Sequence, residues 1–170
     1  VLNNKIAFRV TFSQPPPPQN RLYWRGIVFS KFDGRRWKVG ESIPRRKITI
    51  QGSDKIDYTV LLEAHDKQWL FALDLPAKSA ETGIILDNHT LNSWRTVRKK
   101  MQYKMTSYLD YNTGPVQNWD KAMLSLPQKG NPKARALAKK WAEESNSAEE
   151  ILSKAAGYFQ NNPFSYTCLL

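Results

Sequence analysis

Hydrophobic side chains recur at every second position in several stretches of this chain. From Lys5 to Phe12 the apolar residues Ile6, Phe8, Val10 and Phe12 alternate with Lys5, Ala7, Arg9 and Thr11, the period of a strand with one buried face. The alternation returns at Ile56, Tyr58, Val60 and Leu62, and again at Met101, Tyr103 and Met105 with Gln102 and Lys104 between them. Shorter runs at Ile48 and Ile50, Trp69 to Leu73, Gly83 to Leu86 and Thr90 to Val97 predict further strands. Gln51-Gly52-Ser53-Asp54 is turn chemistry, and Asp74 and Asp87 read as strand terminators. The densest stretch, Leu22 to Trp37, predicts a strand, a turn at Asp33-Gly34 and the start of a second strand, and the rest of the chain is read as organised around it. Aromatic and β-branched residues fit a half-buried pleated surface, and an Asp-Gly step supplies the positive φ of a tight hairpin.

About eight strands at near-regular spacing, with no helical period between them, predict a mainly β fold. The expectation is an antiparallel β-sandwich or barrel over residues 1–112. Pro15 to Pro18 interrupt it. Such a run is either a ligand for a proline-reading module or a stiff loop, and the strand that follows so closely favours the loop. Lys38 to Lys47, broken by Gly40 and Pro44, reads as a second exposed loop.

The period changes after Asn112-Thr113-Gly114-Pro115, so residues 113–170 are read as a small two-helix segment. Asn131-Pro132 offers a cap followed by proline at the first helical position, and Leu137 and Trp141 share one face, predicting a helix over about 132–144. Ser147-Ala148-Glu149-Glu150 matches a capping box. The helix it starts carries Ile151, Leu152, Ala155, Tyr158 and Phe159 on its apolar face and ends near Asn161-Asn162-Pro163. Phe164 to Leu170 reads as extended.

Composition adds a sufficient core and a strong positive charge. The 170 residues are 41% hydrophobic with six Trp, enough for one folded domain and a small appendage. No apolar run approaches the ~20 residues of a membrane helix. The start at Val1 and the β-like end at Leu170 are read as the limits of a piece of something longer. Residues 113–170 carry seven Lys/Arg against five Asp/Glu, so nine of the eleven surplus charges lie in residues 1–112. That sign favours phosphate-bearing partners, nucleic acid or anionic lipid.

Candidate chemistry is thin. Cys168 is the only thiol, in a context that reads as a buried strand. His65 and His89 sit in polar, turn-like segments, and Asp33 reads as a turn residue. No metal-ligand spacing, glycine-rich phosphate loop or poised carboxylate pair occurs, so no catalytic, cofactor-binding or metal-binding residue is assigned, and no cofactor is expected. Arg35-Arg36-Trp37, Arg45-Arg46-Lys47 and Arg95 to Lys100, interleaved with Trp24, Trp37 and Trp94, could form a stacking and phosphate-binding groove for single-stranded nucleic acid. The favoured reading is that the aromatics fill the fold while the cations face water. A contact of Arg25 or Arg36 with a Trp ring would then be structural.

Tyr23-Trp24-Arg25-Gly26 with Phe32-Asp33-Gly34 and Arg36-Trp37 resembles the extracytoplasmic part of bacterial membrane-anchored transglutaminase-like proteins of the TgpA type. So does the later succession of Leu126-Pro127, Leu137 to Trp141, Ile151 to Tyr158 and Phe164-Ser165-Tyr166-Thr167. The resemblance implies a periplasmic location at the inner membrane, an N-terminal β-domain, and the opening of a papain-like core whose Cys-His-Asp triad would lie beyond Leu170. It therefore implies that this chain is itself non-catalytic and that Cys168 is not the nucleophile. The implied partners are the remainder of the chain and a protein or cell-wall peptide substrate, and the anionic lipids of that membrane would suit the basic half. A third reading, separate from the resemblance, is a structural or assembly domain that docks on lipid head groups through Arg45, Arg46 and Lys47. Nucleic acid is the competing, less favoured partner.

Overall fold

A computed structural model describes residues 5–40, 51–78, 81–115 and 124–164. Its contacts divide the chain into two compact units. One holds residues 4–32 and 36–125, and the other is built on residues 126–170 with the turn Asp33–Arg35.

The first unit is antiparallel β throughout. Its largest sheet places β5 (Gln51–Leu62) between β1 (Phe8–Phe12) and β10 (Met101–Asn112). The register sets Phe8 opposite Leu62 and Met101 on the other side of the same residue. All three strands are those whose alternation is cleanest in the sequence, and their inward residues Ile56, Tyr58, Val60, Leu62, Tyr103 and Met105 are buried. The period-2 pattern thus specifies register, because a one-residue slip would turn every one of these side chains to water.

The remaining strands are short. β2 (Trp24–Arg25) pairs with β7 (Ala72–Leu73), β3 (Lys31–Phe32) with β4 (Trp37–Lys38), and β9 (Leu91–Ser93) lies between β6 (Trp69–Leu70) and β8 (Gly83–Ile85). Leu70, Ala72, Leu73, Leu91 and Val97 join the inner face of the large sheet in one core, with Phe8, Phe12, Trp24 and Phe71 packed against it. The fold is mainly β, as the alternation predicts.

Two tyrosines explain why Trp69 to Leu73 divides between two sheets. The Leu73 N–H donates to Tyr58 Oη at 2.8 Å, Tyr58 shares a 2.9 Å bond with Ser107 Oγ, and Ser107 Oγ donates to the Leu73 carbonyl at 2.6 Å. Tyr103 Oη takes the Phe71 N–H at 3.0 Å and returns a 2.7 Å bond to the Phe71 carbonyl. Backbone groups that a continuous strand would pair with a neighbour are instead satisfied by phenols of the large sheet, in keeping with the rule that buried polar groups find partners.

Burial pushes the Tyr58 hydroxyl up to about 12, against the hydrogen bonds it shares with Ser107 and Leu73. Burial raises Tyr103 as well, opposed by its bond to Phe71. The fold holds the protonated phenol. Its contribution is therefore complete below the ordinary value of 10, falls away as pH rises through about 12, and amounts to about 3 kcal/mol for a two-unit shift. Urea unfolding is expected to show flat stability up to about pH 10 and a steep loss above it. Tyr58→Phe should be less stable at neutral pH and shallower in its alkaline loss, and an alkaline loss of unchanged slope would contradict this assignment.

Several sequence expectations are corrected. Leu22 to Trp37 is not the organising strand: it supplies only two-residue pieces, and Tyr23, Ile27, Phe29 and Trp37 are exposed. Of its paired residues, Lys31 and Phe32 meet Lys38 and Trp37 across the turn, while Trp24 reaches Leu73 far along the chain, so local β preference does not set the length of β2. The predicted turn is present, with Gly34 at φ 101° between β3 and β4. Gln51 to Asp54 belongs to the strand and is not a turn, because pairing with β10 runs on to Asn112; the register skips Asp54, which stands at φ 53°. The strand expected at Ile48 and Ile50 lies outside the described residues.

In the second unit, α1 (Pro132–Glu143) and α2 (Ala148–Asn161) follow the predicted bounds closely. Asn131 does not cap: it adopts φ 51° with no side-chain bond to the helix. At α2, Ser147 Oγ accepts the Glu150 N–H at 3.2 Å, while the Glu150 carboxylate takes the Asn146 N–H at 2.7 Å, one residue before the position the capping box predicts.

Candidate interaction sites

The groups considered for catalysis do not assemble. Cys168 lies outside the described residues. His65 is half-buried with its ring stacked on Trp69 at 4.9 Å, and its ring nitrogens have no hydrogen-bond partner among the described residues. His89 sits in a turn at φ 62°. Both histidines are more enclosed than their polar surroundings imply. Among the described residues no three His, Cys, Asp or Glu side chains converge as metal ligands would.

A charged cluster that the sequence does not announce lies where β2 meets β7. Arg25 Nε and Nη2 donate to the two carboxylate oxygens of Asp74 at 2.9 and 2.8 Å, and Tyr111 Oη donates to Asp74 Oδ2 at 3.2 Å. The Asp74 side chain is 9% exposed and that of Arg25 22%. Hydrogen bonding to Asp74 raises the Arg25 pKa above its usual value against the opposing effect of burial. Burial raises that of Tyr111, reinforced by the Asp74 charge. A two-pronged pair of this kind fixes orientation as well as charge. Arg25 also lies 5.8 Å from the Tyr23 ring centroid, so its aromatic neighbour is a tyrosine and not the tryptophan expected. Asp74 is thus an ion-pair partner, which the reading of it as a strand terminator missed. Only the 49-residue separation of the pair hides it.

The basic-aromatic groove is not built as proposed from sequence. Trp24 is committed to the core, 5.3 Å from Phe8 and 5.5 Å from Tyr58. Trp37 lies on the β3–β4 hairpin, stacked on Phe32 at 5.0 Å, and both Trp37 and Trp94 are more than half exposed. The expectation that these rings fill the fold holds for Trp24 alone. Lys100 pairs with Glu63 at 2.8 Å and Arg9 reaches the same carboxylate at 3.4 Å, which together hold Glu63 below the usual carboxylate range. Arg45, Arg46 and Lys47 lie outside the described residues.

The helical unit leaves several large apolar side chains exposed. Trp141 packs edge-on to Tyr158 at 5.5 Å, and Tyr158, Phe159 and Phe164 form a ring cluster with centroids 5.3–5.6 Å apart. Neither helix contains a buried residue. Leu152, Phe159 and Phe164 are 69%, 65% and 57% exposed. Two amphipathic helices therefore lack the surface that would cover them. Among the described residues no helix is long and apolar enough to cross a membrane.

Comparison with known proteins gives consistent matches. The family model described as the TgpA N-terminal domain matches residues 1–114. A protein-glutamine gamma-glutamyltransferase of Pseudomonas aeruginosa is 30% identical over 173 aligned positions, which cover 96% of this chain and 25% of that protein. A crystal structure of the periplasmic domain of TgpA from Pseudomonas aeruginosa superposes with a TM-score of 0.85 at 27% identity, covering 97% of this chain and 59% of that one. A second, bound to ethylmercury, gives 0.84 at 28% identity, covering 96% and 59%. The chain thus spans a quarter of the length of the transferase it resembles.

Proposed function

The chain belongs to the TgpA N-terminal domain family, and from that footing we propose that it is a non-catalytic extracytoplasmic portion of a membrane-anchored transglutaminase-like cysteine protease or acyltransferase. Its β unit supports and positions the Cys-His-Asp core, and residues 113–170 form the opening of that core. The substrate would be a protein or a cell-wall peptide, presented at the periplasmic side of the inner membrane. Support comes from the family match, from the periplasmic origin of the TgpA structures, and from the name of the Pseudomonas aeruginosa transferase. The basic surplus of residues 1–112 suits the anionic lipid of such a membrane.

One observation carries this reading: the uncovered apolar face of α2, with Leu152 and Phe159 at its centre. The remainder of the chain is the proposed cover. Replacing both residues by Ser is expected to lower the stability of the 170-residue piece by no more than about 2 kcal/mol, the loss of the Phe159 ring contacts to Tyr158 and Phe164 included. In the longer protein the same pair of substitutions should lower acyl transfer at least tenfold and sensitise the helices to protease. Unchanged activity and unchanged protection in the longer protein would refute the docking role.

A further inference from the structure

Beside the sheet of β6, β9 and β8 lies a cleft of about 410 Å³ in the first unit, with Ile27, Val39, Gln68, Trp69, Asn88 and Asn92 among its lining residues. We propose that this cleft binds an N-acylated amino sugar. The proposal is independent of the acyl-transfer reading above.

The argument rests first on Asn88, which is 9% exposed. Its Oδ1 accepts the Thr90 N–H at 3.1 Å and the Thr90 hydroxyl at 2.6 Å. The turn that carries it is closed by two further bonds, from the Leu86 N–H to the Thr90 carbonyl and from the His89 N–H to the Leu86 carbonyl, each 2.8 Å. One end of the carboxamide is therefore fixed, and Nδ2 has no partner among the described residues. Nδ2 is not one of the buried atoms left without a partner, so it meets solvent at the cleft wall, and an amide held in one orientation there offers its donors to a ligand carbonyl.

The second observation is the pairing of Trp69 with Asn92. The two are direct cross-strand partners between β6 and β9, so their side chains stand on one face of the sheet. His65 stacks on the Trp69 ring and holds its plane. A fixed indole beside a carboxamide offers an apolar platform for the C–H face of a pyranose and donors and acceptors for its substituents. The aliphatic side chains of Ile27 and Val39 give an acyl methyl somewhere to go. Among the described residues Lys67 is the one charged side chain on the lining, so none of them selects a cation. The volume falls within the range of small-ligand sites.

The test is titration of the 170-residue chain with N,N′-diacetylchitobiose, followed by tryptophan fluorescence and calorimetry, with cellobiose and an N-acetylated dipeptide amide as comparisons. Diacetylchitobiose is expected to bind at least tenfold tighter than either. Gln68→Ala and Asn92→Ala should each weaken it at least fivefold with unchanged urea midpoints. Equal binding of cellobiose would remove the acyl group from the argument and overturn the proposal. Preference for the dipeptide, or affinity indifferent to both substitutions, would overturn it too.

Discussion

Gly83→Val is expected to lower the unfolding free energy by about 3 kcal/mol or more, toward the upper end of overpacking costs. A Cβ at residue 83 would stand 2.2 Å from the Asn92 carbonyl oxygen, 2.9 Å from its carbonyl carbon and 3.2 Å from Ser93 Cα. All three atoms are backbone, so no side chain can swing aside. Gly83 is opposite Ser93 in the β8–β9 register, and Asn92 belongs to the middle strand. Relief therefore requires separating β8 from β9 or displacing β9 from β6, and either loses the burial of Leu91 and Leu70, which are both 0% exposed. Equilibrium urea unfolding gives the measurement, with a thermal midpoint lowered by about 10 °C as its counterpart at this chain length. A loss below about 1 kcal/mol would show that the two strands do not approach as closely as described.

Asp74→Ala is expected to cost about 2–4 kcal/mol, somewhat less than removal of one partner from a fully buried ion pair. The substitution leaves the Arg25 guanidinium, whose side chain is 22% exposed, without either of its short bonds to Asp74, and takes from Tyr111 its acceptor. The cost is mainly that of the stranded charge. Arg25→Met combined with Asp74→Leu should consequently be more stable than Asp74→Ala alone, and the double-mutant cycle should return a coupling above about 1 kcal/mol. Because the carboxylate is largely shielded from solvent, raising the salt concentration should change that coupling far less than it changes the exposed Arg9–Glu63 pair. A coupling near zero would reduce the cluster to a surface contact.

The two predictions sit on opposite sides of what the sequence makes legible. Residues 8–12, 56–62 and 101–105 are readable because each stretch has one wet and one dry face, and this alternation writes the register into the order of residues. The helices are equally readable, since Pro132 and the Ser147–Glu150 spacing act within a few residues of chain. Leu22 to Trp37 misleads because β preference measures fit to a half-buried surface, and several of these aromatic residues find no such surface. Arg25 and Asp74, Tyr58 and Ser107, and Tyr103 and Phe71 meet across 49, 49 and 32 positions. No local pattern marks them. The same holds for the cleft beside β6 and β9: Thr90 reads as the start of a strand, and only the fold places Asn88 and Thr90 on one lining with Trp69.

The placement of β5 between β1 and β10 also governs how the chain comes together. Contacts across the large sheet join residues 54 apart on one side and 49 apart on the other, whereas β8 and β9 are neighbours in sequence. Loop-closure entropy opposes the distant pairings, so the small sheet is the natural first product and the large one a late, slow step, on the millisecond-to-second scale of high-contact-order folds. During synthesis β5 has only β1 to pair with until Met101 to Ser107, the partners of Leu62 to Ile56, have left the ribosome. For that interval its Ile56–Leu62 row faces water along an open edge, the kind of surface that draws in a second chain or a chaperone.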